Sequence, residues 1–273
     1  MRVRQALAEA EQRLAAIPGQ PRQDAELLMA HALGVGVGEM KLRHLDVPSP
    51  PPFDTLLRRR LAREPVAYIT GRAGFWTIEL DIGPGVLIPR ADSETLIEAA
   101  VEHFHGSEPG RILDLGTGPG TLLLAALDQW PEARGTGVDA SEQALAFARR
   151  NASRLGLDSR ADFLIGDWAQ GLSGAFDLIL CNPPYIRNGA ELDADVVEWE
   201  PQVALFAGPD GLDAYRLLSP QIARLLAPGG VACLEIGEDQ LNDVVRIFAA
   251  FPFTISSRRD LRSRDRCLVL KLT

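Results

Sequence analysis

From residue 111 to the end of the chain, short apolar runs alternate with amphipathic stretches, and that alternation admits very few folds. Strands are expected at residues 111–115, 135–138, 161–165, 176–181, 231–236, 253–256 and 266–270. Helices are expected between them, at 121–129, 141–155, 211–226 and 239–250. Strands that alternate with helices imply an α/β fold, a mostly parallel sheet covered by helices on both faces. Such sheets bind ligands beyond the carboxyl ends of their strands, where the strand order reverses. The residues at those ends therefore carry the functional argument.

The first strand runs into Asp-Leu-Gly-Thr-Gly-Pro-Gly at residues 114–120. Its glycines let the backbone approach a ligand closely. Gly116, Gly118 and Gly120 alternate and Pro119 intervenes, so the loop lacks the dinucleotide spacing. Asp114 and Thr117 belong to the same loop. The second strand ends at Asp139, placed to bind ribose hydroxyls. After the third come Asp167 and Trp168, an acceptor and a flat ring suited to an adenine. Each has a purely structural alternative: a tight turn, an aspartate capping the helix near Ser141, a packed tryptophan. Three candidates at three successive strand ends are better explained by one nucleoside site.

The fourth strand ends in Asn182-Pro183-Pro184-Tyr185. The prolines have no N–H for a sheet, and Pro183 holds Asn182 extended. A carboxamide, a proline carbonyl and an aromatic ring are thus gathered on a stiff turn. The Asn182 side-chain oxygen and the Pro183 carbonyl can accept both N–H bonds of a planar NH2, with Tyr185 covering its face. The bland alternative is a turn that ends a core strand, with Asn182 satisfying a local backbone group.

Residues 1–65 read as short helices, through Leu7, Leu14 and Ile17, then 21–33, 40–45 and 53–63. Arg58, Arg59 and Arg60 on the last are either a solvated face or a partner-binding patch. Residues 66–89 change character: Tyr68-Ile69, 75–80 and 86–88 look extended between glycines, which suggests a hairpin linker. A helix follows at 93–104.

Net charge is −9, with +2 over residues 1–80 and −11 over 81–273. An acidic main domain argues against a non-specific grip on nucleic-acid phosphates. Cys181, Cys233 and Cys267 each lie in an apolar run without metal spacing, as expected of buried reduced thiols in a cytoplasmic protein. His103 and His105 fall on different sides of a helix, so no metal site is expected. No signal peptide or long apolar run is present, so no membrane association is expected.

The combination of glycine loop, acid after the second strand, Asp-Trp after the third and Asn-Pro-Pro-Tyr after the fourth resembles S-adenosylmethionine-dependent methyltransferases acting on planar NH2 nitrogens. It is most similar to the glutamine methyltransferases of peptide chain release factors, the HemK/PrmC family. Pro65-Val-Ala-Tyr-Ile-Thr-Gly71, Val86-Leu-Ile-Pro-Arg90, Glu200-Pro201, Gly208-Pro-Asp-Gly-Leu212, Leu234-Glu-Ile-Gly237 and Arg264-Asp-Arg266 look like further landmarks, so the resemblance covers nearly the whole chain. After Arg90 the family usually has Pro, an acid, Thr and Glu, where this chain has Ala91-Asp92-Ser93-Glu94.

The resemblance implies a class I methyltransferase fold with a mostly parallel seven-stranded sheet. It implies a helical substrate-docking domain over residues 1–65, a linker over 66–89 and a catalytic domain over 90–273. It implies S-adenosyl-L-methionine as cofactor, S-adenosyl-L-homocysteine as product, and N5-methylation of the glutamine in the Gly-Gly-Gln loop of a release factor. Asp114, Gly116, Thr117, Gly118, Gly120, Asp139, Asp167, Trp168 and Asn182 would bind the cofactor. Asn182, Pro183 and Tyr185 would be catalytic, with Pro184, Arg90 and Glu94 also toward substrate. A ribosomal protein as methyl acceptor stays open, and so does adenine N6 of DNA, which the charge disfavours.

Overall fold

The computed structural model describes residues 1–273. In chain order its elements begin with α1 (Val3–Leu14), α2 (Pro21–Leu33), α3 (Val37–Glu39), α4 (Pro52–Leu61), α5 (Val66–Thr70), β1 (Arg72–Phe75) and β2 (Ile78–Asp81). They continue with α6 (Glu94–His103), β3 (Arg111–Leu115), α7 (Thr121–Gln129), β4 (Arg134–Asp139), α8 (Glu142–Leu155), β5 (Ala161–Ile165) and β6 (Phe176–Cys181). The last are α9 (Ala194–Trp199), α10 (Asp213–Leu225), β7 (Leu226–Glu235), α11 (Leu241–Phe248), β8 (Phe253–Arg259) and β9 (Asp265–Leu272). Met1–Arg72 with Asp193–Trp199 form one compact unit, and Ala73–Leu192 with Glu200–Thr273 form the other.

The first unit is helical. Val3, Ala6, Ala10 and Leu14 recur at helical spacing and form the buried stripe of α1. They pack with Leu28 and Met29 of α2 and Phe53 and Leu57 of α4. Pro21 opens α2 and Gly34, at φ 69°, closes it in the left-handed region. The arginine triplet is not a common face. Arg60 is buried, donating to Asp24 at 2.8 Å, Asp195 at 3.0 Å and the Pro18 carbonyl at 2.7 Å. Arg59 instead pairs with Glu64 and Arg58 reaches Thr55. Tyr68 and Ile69, expected extended, lie in the helix Val66–Thr70. Pro65 before the first residue and Gly71 at φ 72° after the last punctuate a helix, and these stops outweigh the β-branched side chains between them.

The second unit holds a seven-stranded sheet of order β5-β4-β3-β6-β7-β9-β8. β3 pairs in parallel with β4 and β6, as β4 does with β5 and β6 with β7. Only β9 runs antiparallel to its neighbours β7 and β8. The order reverses between β3 and β6, so the ends of β3, β4, β5 and β6 open on one side of the sheet. Leu115 is in register with both Val138 and Cys181, and Cys181 with Leu234. Asn182 and Glu235 are therefore the next residues out on adjacent strands.

Apolar helix faces close the sheet. α10 contributes Tyr215, Leu218, Ile222 and Leu225, and α11 contributes Val244 and Phe248. Each such side chain stabilises the fold by roughly 1.5–3 kcal/mol when fully buried. Pro220 lies inside α10 and cannot donate to the carbonyl of Arg216, four residues back. The Ser219 hydroxyl donates to that carbonyl at 3.3 Å instead. The hairpin of β1 and β2 is tied to the sheet unit by Asp81 N–H donating to Asn151 of α8 at 2.6 Å. Residues 86–88, expected extended, form no strand, because the Ile88 amide donates to the Glu200 side chain at 3.1 Å. All three cysteines are free and buried, and no helix is long and apolar enough to cross a membrane.

Candidate active site

The loop after β3 shows why its glycines are needed. Gly116 lies at φ 74°, where side chains are strained, and a Cβ there would stand 3.3 Å from the Trp168 ring. Thr117 turns inward and donates to Asp114 Oδ2 at 2.6 Å, which also accepts from Leu123 N–H at 3.2 Å. Asp114 is buried and its other oxygen, Oδ1, has no partner. Burial pushes this carboxyl up to about 7, against the pull of the Thr117 and Leu123 donors, with Asp139 adding to the rise.

At the end of β4 the Asp139 carboxylate clamps two loops. Oδ2 accepts from Gly118 N–H and Oδ1 from Ser141 N–H, both at 2.8 Å. Gly118 has open space where a Cβ would be. Asp167 is exposed after β5 and accepts from Gln170 at 2.8 Å. Trp168 is held at φ 52°, which aims its ring at Gly116. Val138, Asp139, Ala144, Asp167, Trp168 and Asn182 are among the walls of a cavity of about 360 Å³. A smaller hollow of about 50 Å³ opens beside it, walled by Arg90, Ser93, Asp114 and Thr121. Leu87, Gly116, Gly118 and Asn182 border both, so Asn182 stands at their junction.

The turn after β6 is held from several directions. The Tyr185 carbonyl accepts from Gln240 at 2.9 Å, and Gly211 lies so close to that carbonyl that no Cβ would fit. Asn182 Nδ2 donates to Ser93 Oγ at 3.2 Å, which turns Oδ1 away from Ser93. Ser93 in turn donates to Glu235 Oε2, and the Tyr185 hydroxyl donates to Glu235 Oε1 at 3.1 Å. Glu235 is buried at the end of β7, where burial raises its pKa while Ser93, Arg266 and Tyr185 oppose the rise. Burial and the Glu235 charge hold the Tyr185 phenol well above its ordinary range, so it stays a hydroxyl. Pro183 is buried and Pro184 lines the larger cavity.

Arg90 borders the smaller hollow and pairs with the buried Glu200 at 2.5 Å. Glu94 is placed elsewhere: its Oε1 accepts from Trp76 N–H at 2.8 Å in the β1–β2 turn. Ser93, one residue earlier, faces the hollow instead. Sequence reasoning named neither Ser93 nor Glu235 as a site residue. Their signals were a serine in place of the family's threonine and a glutamate within the Leu-Glu-Ile-Gly landmark. No three His, Cys, Asp or Glu side chains converge as a metal site would require.

Comparisons with known proteins bear on family and fold. Residues 80–199 match the methyltransferase small domain, and residues 5–71 match the PrmC N-terminal domain. Among solved structures, a methyltransferase from Pyrococcus furiosus aligns with TM-score 0.52 and 19% identity, over 70% of this chain and 88% of that one. A 16S rRNA methyltransferase from Thermus thermophilus, solved with AdoMet and guanosine, aligns with TM-score 0.53 and 22% identity, over 74% and 50%. Both share the class I methyltransferase fold. The release factor glutamine methyltransferase of Rhodospirillum rubrum is 44% identical over 92% of this chain and 79% of its own length. That of Caulobacter vibrioides is 43% identical over 92% and 89%, and that of Moorella thermoacetica 40% identical over 98% of each. With matches this extensive at both the helical and the sheet-bearing ends of its sequence, the chain belongs to the release factor glutamine methyltransferase family.

Proposed function

We propose that the protein transfers a methyl group from S-adenosylmethionine to the side-chain nitrogen of the glutamine in a release factor's Gly-Gly-Gln loop. The products are N5-methylglutamine and S-adenosylhomocysteine. The observation that carries the reading, beyond family membership, is the orientation of Asn182 at the junction of the two hollows.

The strand ends suit a cationic nucleoside cofactor. Asp114 Oδ1 is a buried acceptor lacking a partner, Gly118 leaves bare backbone, and the 360 Å³ cavity is within the range of small-ligand sites. Asp139 would hold ribose hydroxyls, Asp167 and Trp168 the adenine side, and Asp114 a cationic group. When bound, the cofactor supplies an electrophilic methyl carbon on a sulfonium.

The chain's own residues do the rest. An amide nitrogen is a poor nucleophile because its lone pair is delocalised. Asn182 Oδ1 and the Pro183 carbonyl accept its two N–H bonds, orient it, and stabilise the positive charge that grows there. Tyr185, anchored through its hydroxyl, walls the face of the amide, and Arg90 borders the smaller hollow. Glu235 is no free base, since Ser93 and Tyr185 already occupy both its oxygens. The proton leaves to water.

The helical unit is assigned the docking of the folded factor, the chain works in the cytoplasm, and DNA is not a substrate. The test is intact-mass and peptide analysis of a release factor incubated with the protein and labelled cofactor. One methyl on the Gly-Gly-Gln glutamine is expected. Label on a ribosomal protein alone, or on adenine of DNA, overturns the reading.

A further inference from the structure

The site contains a hydrogen-bonded chain whose direction is set at one end. Asn182 Nδ2 donates to Ser93 Oγ, Ser93 Oγ donates to Glu235 Oε2, and Tyr185 donates to Glu235 Oε1. A serine hydroxyl has one hydrogen, and an ionised carboxylate only accepts. With Glu235 ionised, Ser93 must spend its hydrogen on the carboxylate and can only accept from Asn182. The Asn182 amide is therefore locked with Nδ2 toward Ser93 and Oδ1 toward the site. Amide orientation follows from the surrounding network, and here the network ends on one proton.

Resting on the methyl-transfer reading above, we infer that Glu235 is a positioning residue that acts through Ser93. As a carboxylate it presents the Asn182 oxygen to the acceptor NH2; protonated, it reverses the relay. A neutral Glu235 donates to Ser93 Oγ, which then donates its own hydrogen to Asn182 Oδ1 once the amide has turned over. Asn182 is left showing an NH2 to an NH2, a donor facing a donor. The same carboxylate fixes the Tyr185 hydroxyl, so both groups flanking the acceptor answer to it.

Several other groups face Glu235. Arg266 on β9 favours its charged form, and Asp92, just before α6, disfavours it. Arg266 is itself shared with Asp92 at 3.5 Å and Asp260 at 3.4 Å. Tyr215 of α10 donates only to the Glu235 backbone carbonyl, at 2.9 Å. Cys181 and Cys267 lie within its field, and burial keeps both as thiols. The net effect of burial over these partners is an upward shift, which moves the switch toward neutral pH.

The experiment measures kcat for methylation of a folded release factor against pH, at saturating cofactor so that cofactor affinity drops out. The wild-type protein should lose kcat on the acid side with a one-proton slope. Ser93→Ala should lower kcat about tenfold to a hundredfold near neutral pH, because a misplaced acceptor costs that much. It should also flatten the acid limb and leave calorimetric cofactor affinity unchanged. Ser93→Thr keeps the hydroxyl and should restore both rate and limb. Glu235→Gln, which cannot take up a proton, should also lack the limb. A wild-type kcat flat on the acid side overturns the inference. So does a Ser93→Ala protein that keeps the wild-type rate, or one slowed equally at every pH with the limb intact. A wild-type protein that leaves the glutamine unmethylated overturns the activity itself, so the two failures are read apart.

Discussion

Asp114 lies beneath the glycine loop with one oxygen matched and the other bare, and its folded-state pKa near 7 follows from that burial. Its ordinary value is 3.8, so over the interval between the two the native state holds a proton that the unfolded chain has released. The stability it contributes is complete below the ordinary value and is lost as pH rises through about 7. A cationic cofactor favours the carboxylate, so affinity should rise with pH across that same region. Calorimetry in buffers of different ionisation enthalpy should show proton release on binding below pH 7, and Asp114→Asn should abolish it. Beside its proposed hold on ribose hydroxyls, the Asp139 carboxylate clamps Gly118 and Ser141. Asp139→Ala should weaken cofactor binding roughly tenfold to a hundredfold, since charge-assisted hydrogen bonds contribute about 1.5–3 kcal/mol each. Unchanged calorimetric affinity would remove Asp139 from the site. Motif spacing brought Asp114, Asp139 and Asn182 to one rim, because each lies at or within one residue of a strand's carboxyl end. It could not show that Glu94 turns to the hairpin while Ser93 faces the hollow, since neighbouring residues on a helix differ in direction by about a quarter-turn.

At the scale of elements, the strands were legible because their apolar runs are bounded by glycine, proline or charge. β7 proved longer, Leu226–Glu235, carrying Pro228, Gly229 and Gly230 within it. The expected strand began only at Val231, after them, and the pairing of β6 with β7 is irregular there, between Phe176 and Leu178. α9 went unread, as its six residues carry two acids and bury no side chain. The Ser93–Glu235 link was out of reach for another reason: it depends on register between strands and a helix far apart in sequence. The arginine triplet of α4 yields a test of the helical unit. Arg60→Ala leaves Asp24 and Asp195 without their buried partner and should cost about 3–5 kcal/mol in urea unfolding. Arg58→Ala should stay within about 0.5 kcal/mol, as expected of a surface change. Equal effects would restore the triplet as one solvated face.

For the whole molecule, charge and architecture bear on which acceptor can be used. Residues 81–273 carry −11, which argues against a non-specific grip on nucleic-acid phosphates by this part of the chain. On the proposed reading, the glutamine reaches the Asn182 turn on a flexible loop with small neighbours, which Gly-Gly-Gln supplies. On the same reading, the rest of the affinity comes from surface docking on the folded factor. A short Gly-Gly-Gln peptide should accordingly show a kcat/KM at least about a hundredfold below that of the folded factor, a loss of roughly 2.7 kcal/mol or more in transition-state binding. Equal values would remove any docking role for the helical unit. The central claim is that Asn182 holds the acceptor nitrogen. The measurement that meets it most directly is single-turnover methylation of a folded release factor by Asn182→Ala, beside calorimetric cofactor binding. Loss of an acceptor made only for the reacting nitrogen should slow methyl transfer by about a hundredfold or more while cofactor affinity stays largely intact. A wild-type rate, or a parallel collapse of cofactor binding and turnover, would contradict it.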